Sequence, residues 1–198
     1  MTDYTEQHKQ RLSYMPWLYY RLKPKHLRWA HPWQDHIQQQ LSVLETVHIG
    51  KNVFIAPSAR IFAEPGRDIV IGDNTYIAAD TFIHGPVTIG EGVSINHHSC
   101  LDGGSSGIVI GDHSRLAPYC HLYAFNHGTD PERLICEQPV SSMGISLGRD
   151  VWLSSHTGVV DGVSIGDGAV VGMNSVVTKT LAAGIKAAGN PARPIGTR

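Results

Sequence analysis

The stretch Ile71-Gly72-Asp73-Asn74-Thr75-Tyr76-Ile77-Ala78-Ala79-Asp80-Thr81-Phe82-Ile83-His84-Gly85-Pro86-Val87-Thr88-Ile89 sets an aliphatic residue at every sixth position. Upstream the same period begins at Ile49, Ile55 and Ile61, and downstream it runs on through Ile95 and Leu101. It returns as Ile110, Leu116 and Leu122, and again as Leu147, Leu153, Val159, Ile165, Val171 and Val177. All eighteen starts are Ile, Leu or Val; fifteen of the eighteen fifth positions are Val, Ala, Thr, Ser or Cys; the second position is Gly seven times. An amphipathic helix repeats its apolar residues about every 3.6 positions and a half-buried strand about every 2, so neither accounts for the period. A period of six suits a β-solenoid, in which each hexad supplies a short strand and a corner. The aliphatic residue fills the interior, the small fifth residue lies where the corner narrows, and Gly or Asn near the corner adopts positive φ cheaply.

Hexads such as Ile165-Gly166-Asp167-Gly168-Ala169-Val170 resemble those of the hexapeptide acyltransferases, over roughly residues 49 to 195. That resemblance implies an all-β, left-handed parallel β-helix of about six coils, three hexads to each triangular coil, with small insertions after Ile61 and Leu101. The handedness rests on the resemblance, since general sheet rules favour right-handed crossovers. The expected organisation is an N-terminal arm over 1–47, a β-helix over 48–182 with a protruding loop at 125–146, and a tail over 183–198 that contacts coenzyme A.

Composition fits such a scaffold. Only 17% of residues are charged, Gly is frequent at 21 residues, and the net charge of −1 gives no reason to expect nucleic acid. Three cysteines without a CxxC pair argue against a disulfide framework. The N-terminus has no basic run followed by an apolar one, and no apolar stretch approaches the ~20 residues that span a bilayer. The expectation is a soluble cytoplasmic protein.

The arm lacks the repeat. Pro16, Pro24 and Pro32 divide it into short pieces, and the best helix follows Pro32, where Trp33, Ile37, Leu41 and Leu44 recur at near-helical spacing. Residues 9–29 carry Lys9, Arg11, Arg21, Lys23, Lys25 and Arg28 and no acid, interleaved with Tyr14, Trp17, Tyr19, Tyr20 and Trp29. Two readings stand side by side: a cap whose aromatics pack on the solenoid, or a contact with the anionic inner face of the membrane.

The longest break follows Leu122, because Leu147 lies 25 residues on. His127 takes the sixth place of its hexad and should point outward at the root of the loop, accessible and rigidly held, which suits a general base. Asn126-His127 with Asp130-Pro131, returning to Ile145-Ser146-Leu147-Gly148-Arg149-Asp150-Val151-Trp152, resembles the galactoside, maltose and polysaccharide O-acetyltransferase branch. The resemblance implies that His127 removes a proton from an acceptor hydroxyl. It matches Val176-Val177-Thr178-Lys179 and Ala188-Gly189-Asn190-Pro191-Ala192-Arg193 to the acetyl-CoA side. There Lys179 and Arg193 face phosphates, Ser155 and Thr178 line the pantetheine channel, and Trp152 stands beside the active site. Asn96, Asp102 and Asn126 fall near the family's acceptor-contacting positions, and the site is expected between subunits of a homotrimer. No metal is expected. A γ-carbonic-anhydrase-like protein would need two solenoid His five residues apart, and the pairs at that spacing, His26/His31 and His31/His36, lie in the arm. N-acetylation of an amino sugar and a non-catalytic scaffold remain as alternatives.

Overall fold

In the computed structural model, which describes residues 4–198, the hexads form a parallel β-helix of triangular section. Its first face holds Val47–Ile49, Ile69–Ile71, Val87–Ile89, Ile108–Ile110, Ile145–Leu147 and Ser164–Ile165, stacked in that order. The second begins at Phe54–Ile55 and the third at Arg60–Phe62, and each is followed by its equivalents one coil on. Every coil-to-coil pairing of these strands is parallel, with hexad starts in register: Ile71 on Ile89, Ile77 on Ile95, Ile83 on Leu101. Six coils result.

Seventeen of the eighteen hexad starts are buried; Ile49, in the first coil, is partly buried. Thirteen of the fifteen small fifth residues are buried too, Ala59 being partly buried and Ser105 exposed, and hydroxyls among the buried ones bridge coils. Thr75 Oγ1 donates to the Gly90 carbonyl at 2.8 Å and accepts from Val93 N–H at 3.0 Å. Ser114 Oγ does the same between Gly148 O and Val151 N–H. Where such a hydroxyl stands, it pairs backbone groups of the next coil's corner, as burial demands.

The second-position glycines have a different cause from the one expected. Gly72 has no positive φ; a Cβ there would lie 2.5 Å from the Gly90 carbonyl carbon of the next coil. Close coil approach selects Gly at position two, and positive φ falls two residues later, at Asn52, Asn74, Gly92, His113, Asp150 and Gly168.

The arm also differs from expectation. Helix α1 spans Thr5–Tyr14, a 3-10 turn spans Pro16–Arg21, and helix α2 spans Pro24–Leu44. Pro24 starts α2 rather than ending a segment, since a first-turn proline sacrifices no hydrogen bond. Pro32 lies inside the helix, held there by packing on both sides of it: Trp29 and Trp33 pack with Phe54 and Tyr76, and Ile37 and Leu41 cover the open end of the solenoid core. Leu44 is exposed. Gln34, buried, donates its amide to Ile55 O at 3.1 Å and accepts from Ile55 N–H at 2.8 Å, so it caps the first coil like an added strand. The other end is longer than expected: Ile185–Ala188 pairs parallel with Val170–Val171 beyond residue 182, and Arg193–Thr197 folds back antiparallel on it.

Removing the Gln34 amide leaves two buried backbone groups unpaired, at about 1–3 kcal/mol each. Gln34→Ala is expected to lower the melting temperature and to expose the arm to limited proteolysis; an unchanged melting curve would contradict the cap.

Candidate functional site

The three insertions leave the repeat at one corner, where the third face turns to the first. They follow Phe62, Asp102 and Tyr123, each the last residue of a third-face strand. This edge gathers the polar side chains. His84 Nδ1 lies 3.2 Å from Asp102 Oδ1 and its Nε2 lies 3.2 Å from Glu64 Oε1. Arg67 donates twice to Gly85 O, at 3.0 and 2.6 Å. A cleft of about 680 Å³ opens beside them, between the end of α2 and the 62–65 loop, with Phe62, Glu64 and His84 in its wall.

The loop that carries His127 is folded, not slack. Asn126–His127 pairs antiparallel with Val140–Ser141, closing a hairpin. Gln138 is its hub: Oε1 accepts from Asp130 N–H at 2.8 Å, and Nε2 donates to the carbonyls of Asp130 and Arg133 at 3.0 Å each. Two anchors fix the roots. Asp161 accepts from Met143 N–H and Gly144 N–H, at 2.9 and 2.8 Å to Oδ1, and from Asn126 Nδ2 at 3.4 Å. Ser142 Oγ donates to Ala124 O and accepts from Ser105 and Ser106 N–H. His127 itself is exposed, with its ring edge-on to Phe125 at 5.9 Å.

Asp102 is the Cα partner of Tyr123, which places it on the same edge, one coil before the root of the His127 loop. Asn96 stands at the other end of that third face, and its amide donates to Leu116 O at 2.7 Å. Asn126 holds the loop through Asp161. Ser155 lies at the corner where the second face meets the third; its carbonyl accepts from Asn174 N–H, while its own N–H meets no backbone acceptor among the described residues. Thr178 and Lys179, both exposed, follow Val176–Val177 on the third face. Arg193 sits beyond them, next to Ala192, whose N–H donates to Val176 O at 2.8 Å. Between Ser155 and Val176 the face is open: a Cβ on Gly158 would meet only Val176 methyls, at 3.8 and 3.9 Å. Trp152 is separate. It is 50% exposed on the second face, the face opposite the His127 corner in the same triangular section.

Periodicity singles out none of Asp161, Ser142 and Gln138, although they fix the loop that carries His127. Asp161 and Asn126 are 35 residues apart, and only the stacking of coils brings them together.

Two of the three thiols, Cys100 and Cys120, lack nucleophilic settings. Burial pushes Cys120 up to about 12 and also raises Cys100, while the hydrogen bond to Cys100, then burial, pushes Tyr123 up to about 12. Among the described residues no group of three or more His, Cys, Asp and Glu is placed to hold a metal.

The chain matches the family described as bacterial transferase hexapeptide (six repeats) over residues 68–103 and 144–179. It is 35% identical, over 76% of its length and 69% of the relative's, to an Escherichia coli (strain K12) protein provisionally named colanic acid biosynthesis acetyltransferase WcaF. It is 28% identical, over 88% of its length and 77% of the relative's, to galactoside O-acetyltransferase of the same strain. Among solved structures, AntD, an N-acyltransferase from Bacillus cereus in complex with dTDP and 3-hydroxybutyryl-CoA, superposes with a TM-score of 0.71 at 29% identity, covering 81% of this chain and 87% of AntD.

Two measurements test this geometry. Asp161→Ala should release the hairpin, seen as faster hydrogen exchange over 126–144, and unchanged exchange there would contradict the anchor. With a maleimide at pH 8, exposed Cys136 should react first and buried Cys120 only after unfolding; early labelling of Cys120 would contradict the packing.

Proposed function

Since the chain belongs to the hexapeptide-repeat acyltransferases, we propose that it is a cytoplasmic acetyl-CoA-dependent O-acetyltransferase of a sugar or glycan hydroxyl, with His127 as general base. The observation that carries this is the pinned, exposed His127 on the corner where every insertion and the Glu64–His84–Asp102 cluster converge. The acyl donor fits the later coils of the third face. In this reading the pantetheine arm runs along the open face at Gly158, where a Cβ would meet only Val176 methyls, and Thr178, Lys179 and Arg193 lie toward its end, where phosphates need cations. The names of the relatives support a sugar as acceptor: colanic acid biosynthesis, galactoside and a dTDP complex.

In this mechanism His127 takes the proton of the acceptor hydroxyl as its oxygen attacks the thioester carbonyl. The tetrahedral oxyanion is steadied by backbone N–H, and the N–H of Ser155 is the available donor. Collapse breaks the carbon–sulfur bond, and the proton on His127 goes to the departing thiolate of coenzyme A. No cysteine takes part, in keeping with the raised thiols at 100 and 120.

The site is shared between subunits of a homotrimer in this reading. Leu134, Ile135, Val140 and Met143 leave a large apolar area on the loop open to solvent, Met143 at 73% exposure, which is what a subunit contact would cover. Trp152 stands on the face opposite the His127 corner of its own chain, so it joins a site with His127 only across a subunit boundary.

The likeness to AntD, an N-acyltransferase, favours one second reading, transfer to the amine of an amino sugar, with the same base. Acetyl-CoA consumption screened against sugars, amino sugars and nucleotide sugars separates the two, because an O-acetyl product is cleaved by hydroxylamine and an N-acetyl product is not. His127→Ala should lose about 10²–10⁴-fold in kcat while protection by acetyl-CoA against thermal unfolding persists. Full activity in that variant would refute the assignment.

A further inference from the structure

The arm resolves its aromatics into two groups. In the 3-10 turn Pro16–Arg21 the three-residue period buries Pro16 and Tyr19 and turns Trp17 and Tyr20 outward. Tyr19 packs on Phe54 at 5.2 Å, Tyr20 donates its hydroxyl to Thr75 O, and Trp29 and Trp33 lie over the second face, so those rings serve the cap. Trp17 has no such partner. It is 41% exposed, at the start of a segment that carries Arg21, Lys23, Lys25 and Arg28, all exposed. Lys25 and Arg28 stand one turn apart on α2, and Arg21 and Lys23 lead directly into that turn. None of the four pairs with a carboxylate among the described residues, although ion pairs form elsewhere on the chain, as between Arg198 and Asp150 at 2.8 Å. No acid occurs between Glu6 and Asp35 to balance them.

We propose that Trp17 and the Arg21–Lys23–Lys25–Arg28 cluster form a docking surface for an anionic phospholipid bilayer. Four unpaired cations in eight residues sit on a chain whose net charge is only −1, so the positive potential is local to this patch. A projecting indole beside the cations is the side chain that settles at the level of lipid headgroups. The patch is made of exposed side chains on the 3-10 turn and the first turns of α2, so it suits a plane better than a strand of nucleic acid, which is held in a channel. No helix of the described residues is long and apolar enough to cross a membrane, so the contact is peripheral. In a cyclic trimer the three patches lie at one level along the axis and bind together. The docking surface does not depend on the acetyl-transfer reading, because its residues lie outside the His127 edge.

The test is co-sedimentation of the full chain with vesicles of phosphatidylcholine alone or with 40% phosphatidylglycerol, at 50 mM and 500 mM salt. Binding is expected on the anionic vesicles at low salt, with release at high salt. The variant with Arg21, Lys23, Lys25 and Arg28 all changed to Ala should lose most of it, at about fivefold per cation. Trp17→Ala should weaken binding at both salts, with a blue shift of the protein's fluorescence on vesicles lost in that variant. The melting temperature and acetyl-CoA turnover of both variants should match the parent, which separates failed docking from failed folding or catalysis. Equal partition onto neutral and anionic vesicles, no partition at low salt, or tighter binding of a 20-nucleotide single-stranded DNA abolished by the same four changes would each overturn the proposal.

Discussion

The whole structure depends on how two of its three corners turn. Where the first face meets the second, Asn52, Asn74, Gly92, His113, Asp150 and Gly168 adopt left-handed backbone one above another. Where the second meets the third, Asp80, His98, Tyr119, His156 and Asn174 do the same. A coil whose turns are fixed at two corners has one corner left at which its length can change. That third corner has no regular left-handed column; it carries a cis Gly85-Pro86 bond and all three insertions. The polar cluster and the His127 hairpin collect there for the same reason that loops gather variable residues on any rigid scaffold: it is where chain can be added without breaking the stack.

Left-handed backbone is costly for residues such as Tyr119 and His156, which have a Cβ. Stacking compensates at this corner. The Tyr119 and His156 rings lie 4.7 Å apart and within 1° of parallel, and His98 stacks on the other side of Tyr119 at 4.9 Å. The column ends at Asp80, whose carboxylate accepts from Tyr14 Oη at 2.7 Å, which ties α1 to the solenoid. That bond is also the first cause holding the Asp80 carboxyl below its ordinary range. Because the folded value is depressed, its contribution is present above the ordinary carboxylate range and is lost as pH falls through the folded value. The same hexad register thus supplies both the core and the attachment of the cap.

The period of six makes the solenoid, its six coils and the position of the long loop legible, because interior aliphatics and close-approach glycines recur at the repeat distance. Even so, the cause of Gly72 is hidden at the level of sequence, since a steric contact with the next coil leaves the same residue as a dihedral requirement does. The arm is partly legible: Ile37 and Leu41 do face the core, but the period cannot reveal that Trp29 and Trp33 carry one helix through Pro32. Least legible is the support of His127. Gln138 and Asp161 act through single polar contacts, and the partners of Asp161 lie 17 to 35 residues away, a distance with no meaning until the coils are stacked.

The triangular section constrains where a complete site can be. A corner and the face opposite it are separated by the packed core, here the column of Ile83, Leu101, Leu122 and Val159 behind the third face and its counterparts behind the second. His127 and Trp152 of one chain therefore lie on opposite sides of buried aliphatics, and no rotamer brings them together. An exposed indole on a flat face, an exposed apolar loop tip at a corner and His127 at the root of that loop are therefore separate surfaces of one chain. In the proposed homotrimer, corner would meet face, and the loop of one chain would cover the face of the next. The proposed contact would follow from a prism that confines its added chain to one edge, since the core aliphatics keep that edge apart from the opposite face of the same chain.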